Sequence, residues 1–271
     1  MPRQLLEDAK ICLSLLTRLP IPIKKDVLDA DGDGNQDLGR IGKAYRAAPL
    51  VGVVTGLVGA IAYFIGNSMS GSPVYIAAIL AVSAQLLISG GSQEIGFTKV
   101  LSLRPHPSAD TQGRDEDMGV AAGAIAAGLM LLLKIHLVAE LANPWIAAMG
   151  LIASAAFGRA AQVQLMAFTS DDSATQPSKI DATTSMIVGL IIGIVTIMMA
   201  TIGESFSASV VGFGMTVFGA FVGMALSSTL FFTLTKCRHH LENVNVKEAV
   251  GWVTEMGALY GIVAFMPVIG L

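Results

Sequence analysis

The stretch "APLVGVVTGLVGAIAYFIGNSM", residues 48–69, decides the fold because it is long, apolar and free of charged side chains. A helix of roughly 20 such residues crosses the hydrocarbon core of a bilayer, which is about 30 Å thick. The chain as a whole is 53% hydrophobic and only 14% charged, and its mean hydropathy is +0.66. A soluble domain could not bury so much apolar side chain. The composition therefore predicts an all-α, polytopic membrane protein.

We expect seven transmembrane helices, which form a single integral membrane domain over residues 1–271. They are predicted at about 48–69, 73–91, 118–139, 144–166, 184–203, 208–234 and 250–270. Before them, residues 1–47 form an N-terminal segment whose apolar run "ICLSLLTRLPIPI" is too short to span. Its apolar side chains recur at helical spacing, which predicts an interfacial helix lying on the membrane. Glycines four residues apart, such as Gly52 and Gly56, predict close packing between the spans.

The distribution of Lys and Arg predicts the orientation, because these residues are retained on the cytoplasmic side of a membrane. They lie in the N-terminal segment and around the loops after the second, fourth and sixth spans, whereas the opposite loops hold none. We therefore expect a multi-pass protein of the cell (inner) membrane, with the N-terminus cytoplasmic and the C-terminus outside. Lys134 is the exception, and we expect its long side chain to extend outward to the headgroups.

An acidic run, "DADGDGNQD" at residues 29–37, resembles the first half of a calcium-binding EF-hand loop. Arg40 stands where such a loop needs its bidentate glutamate, and no apolar-patterned helix leads into the run. We interpret this stretch as a flexible acidic insertion in the N-terminal segment.

Six short motifs, in the same order along the chain, resemble one known family. They are "LTRLPIP" (16–22), "YRAAPLVGVVTGLVGA" (45–60), "LLISGGS" (86–92), "LLLKIHL" (131–137), "AFGRAAQV" (156–163) and "EAVGWVTE" (248–255). Through them the chain resembles the cobalamin synthase family, the adenosylcobinamide-GDP ribazoletransferases, over nearly its whole length. This resemblance implies a late step of vitamin B12 synthesis. In that step the ribose hydroxyl of α-ribazole, or of its 5′-phosphate, attacks the phosphate of adenosylcobinamide-GDP, and GMP leaves.

The resemblance also implies the partners of the protein. They are adenosylcobinamide-GDP, α-ribazole and the lipid bilayer, and we expect no nucleic acid. A homo-oligomer or a complex with other biosynthetic proteins is left open by the sequence.

Four residues are candidates for binding the substrate phosphate: Arg18, Arg159, Gly90 and Gly91. The arginines are chosen because a guanidinium binds phosphate through two parallel hydrogen bonds. The Gly-Gly pair follows a membrane span, where bare backbone can approach a phosphate. Arg159 lies inside a span and matches a family position, which makes it a functional candidate; the alternative is that its side chain extends to the headgroups.

The chemistry that the resemblance implies needs a divalent cation, Mg²⁺, to neutralise phosphate charge. In the family's aspartate-rich run after the Gly-Gly pair, this chain keeps only the first glycine, Gly96, and has Gln93, Ile95, Lys99 and Ser102 at the histidine and aspartate positions. Two alternatives follow. Either the magnesium ligands have moved to neighbouring acids, or the chain is a non-catalytic corrinoid-binding or complex-forming relative.

Under the first alternative we predict Asp115 and Glu248 as the catalytic carboxylates, because both occupy acidic positions of the family. The same two residues, with Glu94 beside the Gly-Gly pair, are the predicted metal ligands. Glu255 follows Glu248 by two helical turns and should share its helix face.

Overall fold

The computed structural model describes residues 2–22, 38–69, 73–102, 112–141, 143–168, 176–200, 210–211, 214–223, 225 and 243–265. Within these ranges every regular element is a helix, which confirms the predicted all-α class. The helices are α1 (Pro2–Leu16), α2 (Leu38–Ala44), α3 (Ala48–Ser68), α4 (Val74–Ser89), α5 (Ser92–Ser102), α6 (Gln112–Glu140), α7 (Pro144–Phe168), α8 (Lys179–Ala200), α9 (Gly214–Gly223) and α10 (Asn243–Phe265), with one 3₁₀ turn at Tyr45–Ala47.

Four described helices are long and apolar enough to cross a membrane, and they match the first, third, fourth and fifth predicted spans. The pair α4 and α5 would make a fifth span if it is counted as one broken helix. The sixth predicted span, 208–234, falls mostly outside the described residues, as does the acidic insertion at 29–37. In the seventh, α10 forms from Asn243 to Phe265. The chain is thus a multi-pass helical bundle, and the count of seven stays a prediction.

Helix α7 lies at the centre of the bundle. Of the residues in its membrane-length segment, 94% are buried, compared with 22% in α6 and 33% in α8. It packs against α3, α8 and α10, and small residues make this close approach feasible. A methyl group added at Gly52 would lie 2.5 Å from the Ala155 carbonyl oxygen, and one added at Gly56 would lie 2.6 Å from the Ile152 Cα. The predicted close packing at this glycine pair is confirmed.

Helix α1 packs on this bundle through one face and leaves another face exposed. Ile11, Cys12 and Leu16 are buried, while Leu6 is 61% exposed. An ion pair at 2.5 Å between the Asp8 carboxylate and an Arg46 guanidinium nitrogen connects α1 to the 3₁₀ turn before α3. The helix predicted from the apolar spacing is present, and its exposed apolar side chains suit a membrane surface.

The polypeptide turns sharply between α4 and α5, whose axes differ by 86°. Gly90 and Gly91 make the turn with φ angles of 70° and 68°, a left-handed conformation that glycine adopts without steric cost. The sequence pattern predicted a loop after this pair, but residues 92–102 form helix α5. Helix α5 packs between α6 and α10, where the rings of Phe97 and Trp252 meet edge to face. That buried contact explains why a polar-looking segment is helical.

Candidate functional site: a polar pocket within the bundle

A small polar pocket lies inside the helical bundle. Its cavity volume is about 20 Å³. Six helices contribute to its wall: α3, α4, α5, α6, α7 and α10. Its lining residues are Thr55, Gln85, Ser89, Gln93, Glu94, Lys134, Ala155, Arg159 and Glu255. The lining includes two basic side chains, Lys134 and Arg159, and two acidic ones, Glu94 and Glu255. Charged groups within membrane helices are costly to bury and commonly mark functional sites.

Five motifs that lie apart in the sequence converge in this pocket. Thr55 comes from "YRAAPLVGVVTGLVGA", Ser89 from "LLISGGS", Lys134 from "LLLKIHL", Arg159 from "AFGRAAQV" and Glu255 from "EAVGWVTE". Another cavity, between α7, α8, α9 and α10, is lined almost wholly by apolar side chains such as Phe157 and Met186. The polar pocket is therefore the candidate site of the described residues.

Lys134 and Glu255 form a buried ion pair in this pocket, with 2.8 Å between the lysine nitrogen and a carboxylate oxygen. Each side chain is 4% exposed, and the pair joins α6 to α10. The expectation that Lys134 extends outward to the headgroups is wrong, because an acid from another helix compensates its charge within the bundle. Neutralisation of this kind is what permits two charges to be buried together.

Arg159 is 3% exposed and lies on the central helix α7. Its guanidinium donates a hydrogen bond of 3.0 Å to the Gln162 side-chain oxygen, one helical turn further on. The carboxylates of Glu255, Glu248 and Glu94 attract it electrostatically. Extension of this side chain to the headgroups is excluded by its burial. Its role in binding phosphate stays a prediction.

Arg18 lies beside the Gly90–Gly91 turn rather than in the pocket lining. Its guanidinium donates to the Gly90 carbonyl oxygen at 3.4 Å, and its backbone N–H donates to the Ile88 carbonyl at 2.9 Å. A methyl group at Gly90 would approach the Arg18 Nε to 2.7 Å, whereas one at Gly91 would find nothing nearer than 3.7 Å. Ser89, immediately before this turn, lines the pocket. The turn thus places the exposed Arg18 next to the pocket wall.

The predicted carboxylates occupy three different positions. Glu94 lines the pocket, and one of its oxygens, Oε2, is buried without a hydrogen-bond partner. Glu248 is half-buried on α10, ahead of the predicted seventh span, and burial raises the pKa of its carboxyl to about 7 against the opposing influence of Arg159. Asp115 lies on α6, but its side chain falls outside the described residues.

The described residues do not by themselves fit a magnesium site. Among them, no three His, Cys, Asp or Glu side chains come together in a way that could hold a metal ion. Glu255 is paired with Lys134, and Glu94 shares its pocket with two cations, whose charge opposes that of Mg²⁺. The predicted ligand set of Asp115, Glu248 and Glu94 therefore stays a prediction.

Sequence reasoning did not single out Gln85 or the partnership of Lys134 with Glu255. A signal for Gln85 was present, since a glutamine stands inside an otherwise apolar span. The ion pair offered no such signal, because its two members lie on helices that are distant along the chain.

Comparison with known proteins identifies relatives of the whole chain. A family model described as Cobalamin-5-phosphate synthase matches residues 8–98. The Adenosylcobinamide-GDP ribazoletransferase of Azorhizobium caulinodans is 30% identical, over 97% of this chain and 97% of the relative. The protein of the same name from Mesorhizobium japonicum is 29% identical, over 83% of this chain and 85% of the relative. No solved structure matches the chain.

Proposed function

The chain belongs to the cobalamin-5-phosphate synthase family, and from that membership we propose that it is an adenosylcobinamide-GDP ribazoletransferase. The reaction joins α-ribazole, or its 5′-phosphate, to adenosylcobinamide-GDP. A bond forms between the acceptor hydroxyl oxygen and the phosphorus that carries the corrinoid. The bond from that phosphorus to GMP breaks, GMP leaves, and the hydroxyl proton passes to a base. The alternative, a non-catalytic corrinoid-binding relative, is not favoured by the similarity to enzymes of this name.

The observation that carries the proposal is the convergence of five family motifs in one pocket through Thr55, Ser89, Lys134, Arg159 and Glu255. Residues that serve only helix packing would not be expected to line one polar cavity. Transfer of a phosphate-linked group needs cations that stabilise the negative charge developing on the phosphate oxygens. Arg159 supplies positive charge in surroundings where water does not screen it strongly, whereas the charge of Lys134 is compensated by Glu255.

We assign phosphate binding to Arg159 in the pocket and to Arg18 with the Gly90–Gly91 turn beside it. The guanidinium of Arg159 has five N–H donors, and its hydrogen bond to Gln162 leaves others for phosphate oxygens. Glu94 lines the same pocket, and its Oε2 lacks a hydrogen-bond donor among the described residues, which leaves that oxygen open to a substrate proton or to a cation.

Magnesium dependence is part of the proposal, with Asp115, Glu248 and Glu94 as the proposed ligands. Mg²⁺ commonly binds through one or two carboxylates together with substrate phosphates, so a complete protein cage is not required. When bound, the ion would neutralise phosphate charge. Chelation with EDTA should abolish GMP release, and added Mg²⁺ should restore it. Release that persists in EDTA contradicts this part of the proposal.

We further propose the cytoplasmic membrane as the location, with the N-terminus inside and the C-terminus outside. The supporting observation is the distribution of Lys and Arg among the loops. Assembly into an oligomer or a larger biosynthetic complex is left open.

The experiment that tests the activity uses the purified full-length protein in lipid or detergent. It receives adenosylcobinamide-GDP and α-ribazole with Mg²⁺, and the release of GMP is measured by chromatography. We expect one GMP for each corrinoid converted, and no release when either substrate is omitted. A folded protein that releases no GMP with α-ribazole or its 5′-phosphate contradicts the proposed activity.

A further inference from the structure

Gln85 presents an unsatisfied amide to the polar pocket. The residue is 5% exposed, and both its side-chain nitrogen and its side-chain oxygen lack a hydrogen-bond partner. A buried polar group without a partner costs free energy, and such groups are rare unless a ligand or water satisfies them. The structure therefore leaves one donor and one acceptor of Gln85 open inside a cavity.

The surroundings hold this amide in place. A methyl group at Gly59 on α3 would lie 2.7 Å from the Gln85 Cγ, so glycine at this position leaves the space that the Gln85 side chain occupies. Thr55 lines the pocket one turn earlier on α3, and Ser89 lines it one turn later on α4. The Thr55 and Ser89 hydroxyls donate to the Gly52 and Leu86 carbonyls. The Ser89 oxygen already accepts a hydrogen bond from the Gly91 backbone N–H at 3.3 Å, and since a hydroxyl oxygen has two lone pairs, each of the two oxygens can accept a further bond.

This wall of the pocket, formed by α3 and α4, is uncharged, whereas α5, α6, α7 and α10 contribute its charged residues. These are Glu94, Lys134, Arg159 and Glu255. The uncharged wall offers a donor and several acceptors, which matches hydroxyl groups because each hydroxyl both donates and accepts. The cavity volume of about 20 Å³ has room for about one or two water-sized groups. A sugar hydroxyl fits that space better than a branched carboxamide does.

We propose that Gln85 binds a ring hydroxyl of the ribose of the acceptor, and so helps to select a ribosyl nucleoside as the second substrate. Thr55 and Ser89 line the same wall. This inference rests on the proposed transferase function and deepens it, since it separates the acceptor-binding wall from the phosphate-binding wall of the pocket. A carboxamide of the corrinoid offers the same donor and acceptor chemistry, so the experiment must distinguish the two substrates.

The test is the Gln85→Met protein, in which the side chain keeps its length and loses its polar atoms. We expect its KM for α-ribazole to rise about tenfold, since one or two hydrogen bonds are lost. Its KM for adenosylcobinamide-GDP should stay within about twofold of the parent value. Its thermal stability should not fall, because the change removes unsatisfied buried polar atoms. The expected result is therefore a defect confined to one substrate.

The matched control is Tyr63→Phe. Tyr63 is buried on α3, its hydroxyl lacks a partner, and it does not line the pocket. Its loss should change neither KM, whereas a general effect of removing buried polar atoms would appear in both proteins. An unchanged KM for α-ribazole in Gln85→Met, or a rise in the KM for the corrinoid substrate instead, overturns the assignment.

A second measurement uses the parent protein and so does not depend on the folding of a variant. The 2′-deoxy and 3′-deoxy forms of α-ribazole replace the natural acceptor, and we expect one of them to bind about tenfold more weakly. Equal binding of both deoxy forms and the natural acceptor contradicts the proposal.

Direct titration of α-ribazole separates the failure of this inference from the failure of the proposed function. If the parent protein releases no GMP but binds α-ribazole more tightly than Gln85→Met does, the binding assignment stands and the transferase activity fails. If the parent releases GMP and both proteins bind α-ribazole equally, the activity stands and the assignment fails. If the parent does not bind α-ribazole, the assignment is wrong.

Discussion

At the scale of single residues, two buried cations of the bundle have different partners: Arg159 bonds to a glutamine on its own helix, and Lys134 pairs with an acid on another helix. Arg159 was singled out because it lies inside an apolar span, and it is buried on the central helix. Lys134 was expected at the headgroups because a lysine near a span end can usually reach them. Its position depends on Glu255, which lies on another helix and cannot be identified from local sequence spacing. A buried charge is placed by its partner, and partners far along the chain are found only in the folded molecule.

The Lys134–Glu255 pair leads to a prediction about stability. Glu255→Gln leaves the lysine buried without its partner and should lower the free energy of unfolding by about 3–5 kcal/mol. The double change of Lys134→Met with Glu255→Gln removes both charges and should recover most of that loss. Thermal unfolding of the detergent-solubilised protein measures both effects.

A control for this pair is Glu140→Gln on α6, the helix that carries Lys134. The Glu140 carboxylate lies 3.8 Å from the His136 ring nitrogen, and both side chains are about half exposed. This change should have little effect, because exposed pairs contribute at most about 1 kcal/mol. A double variant as unstable as Glu255→Gln alone would show that the ion pair does not set the stability.

At the scale of elements, hydropathy predicted the four described helices of membrane length and missed helix α5. Ser92, Gln93 and Glu94 follow two glycines, and that composition is typical of a loop. The segment is helical because its apolar side chains, Phe97 among them, pack against α6 and α10. Close helix packing at the glycine pairs could be predicted because it depends on side-chain size alone. The helix that packs against each glycine pair could not be predicted, since nothing local in the sequence identifies the facing helix.

The Gly90–Gly91 turn offers a matched pair of substitutions. Both residues have φ near 70°, so alanine at either one costs roughly 1–2 kcal/mol of backbone strain. Only at Gly90 does the added methyl group also displace Arg18. We expect Gly90→Ala to raise the KM for adenosylcobinamide-GDP well above the value for Gly91→Ala, at similar thermal stability. If the two proteins have the same KM, the placement of Arg18 by this turn does not matter for substrate binding.

At the scale of the whole molecule, the composition predicted a helical membrane bundle, and the described residues confirm it. The bundle gathers residues from six helices around one polar pocket, which no single stretch of sequence indicates. The family resemblance named the motifs, but their convergence depends on how the helices pack around α7. The acidic residues 115–117 and Asp110 are further candidate ligands, and their side chains lie outside the described part of the chain.

The predicted orientation can be tested with reporter fusions. Reporters placed after Asn67 and after Asn143 should lie outside the cell, and those placed after Asp110 and after Asp171 should lie inside. Alkaline phosphatase, active only outside, and a fluorescent protein, folded only inside, give opposite readings at each point. A cytoplasmic reading at Asn143 contradicts the seven-span arrangement, because it removes the alternation that the positive charges require.

The central claim is that the pocket around Arg159 carries out ribazole transfer, and the most direct test is the rate of GMP release by the Arg159→Lys protein. Lysine keeps the charge but loses the planar fork that holds phosphate through two hydrogen bonds. Arg40→Lys is the control, since Arg40 pairs with Glu7 at 3.0 Å on the exposed surface. We predict that Arg159→Lys lowers kcat/KM by about 100-fold or more at unchanged thermal stability, while Arg40→Lys stays within a few-fold of the parent. GMP release by Arg159→Lys at the parent's rate would contradict the account, because the transfer would then take place elsewhere.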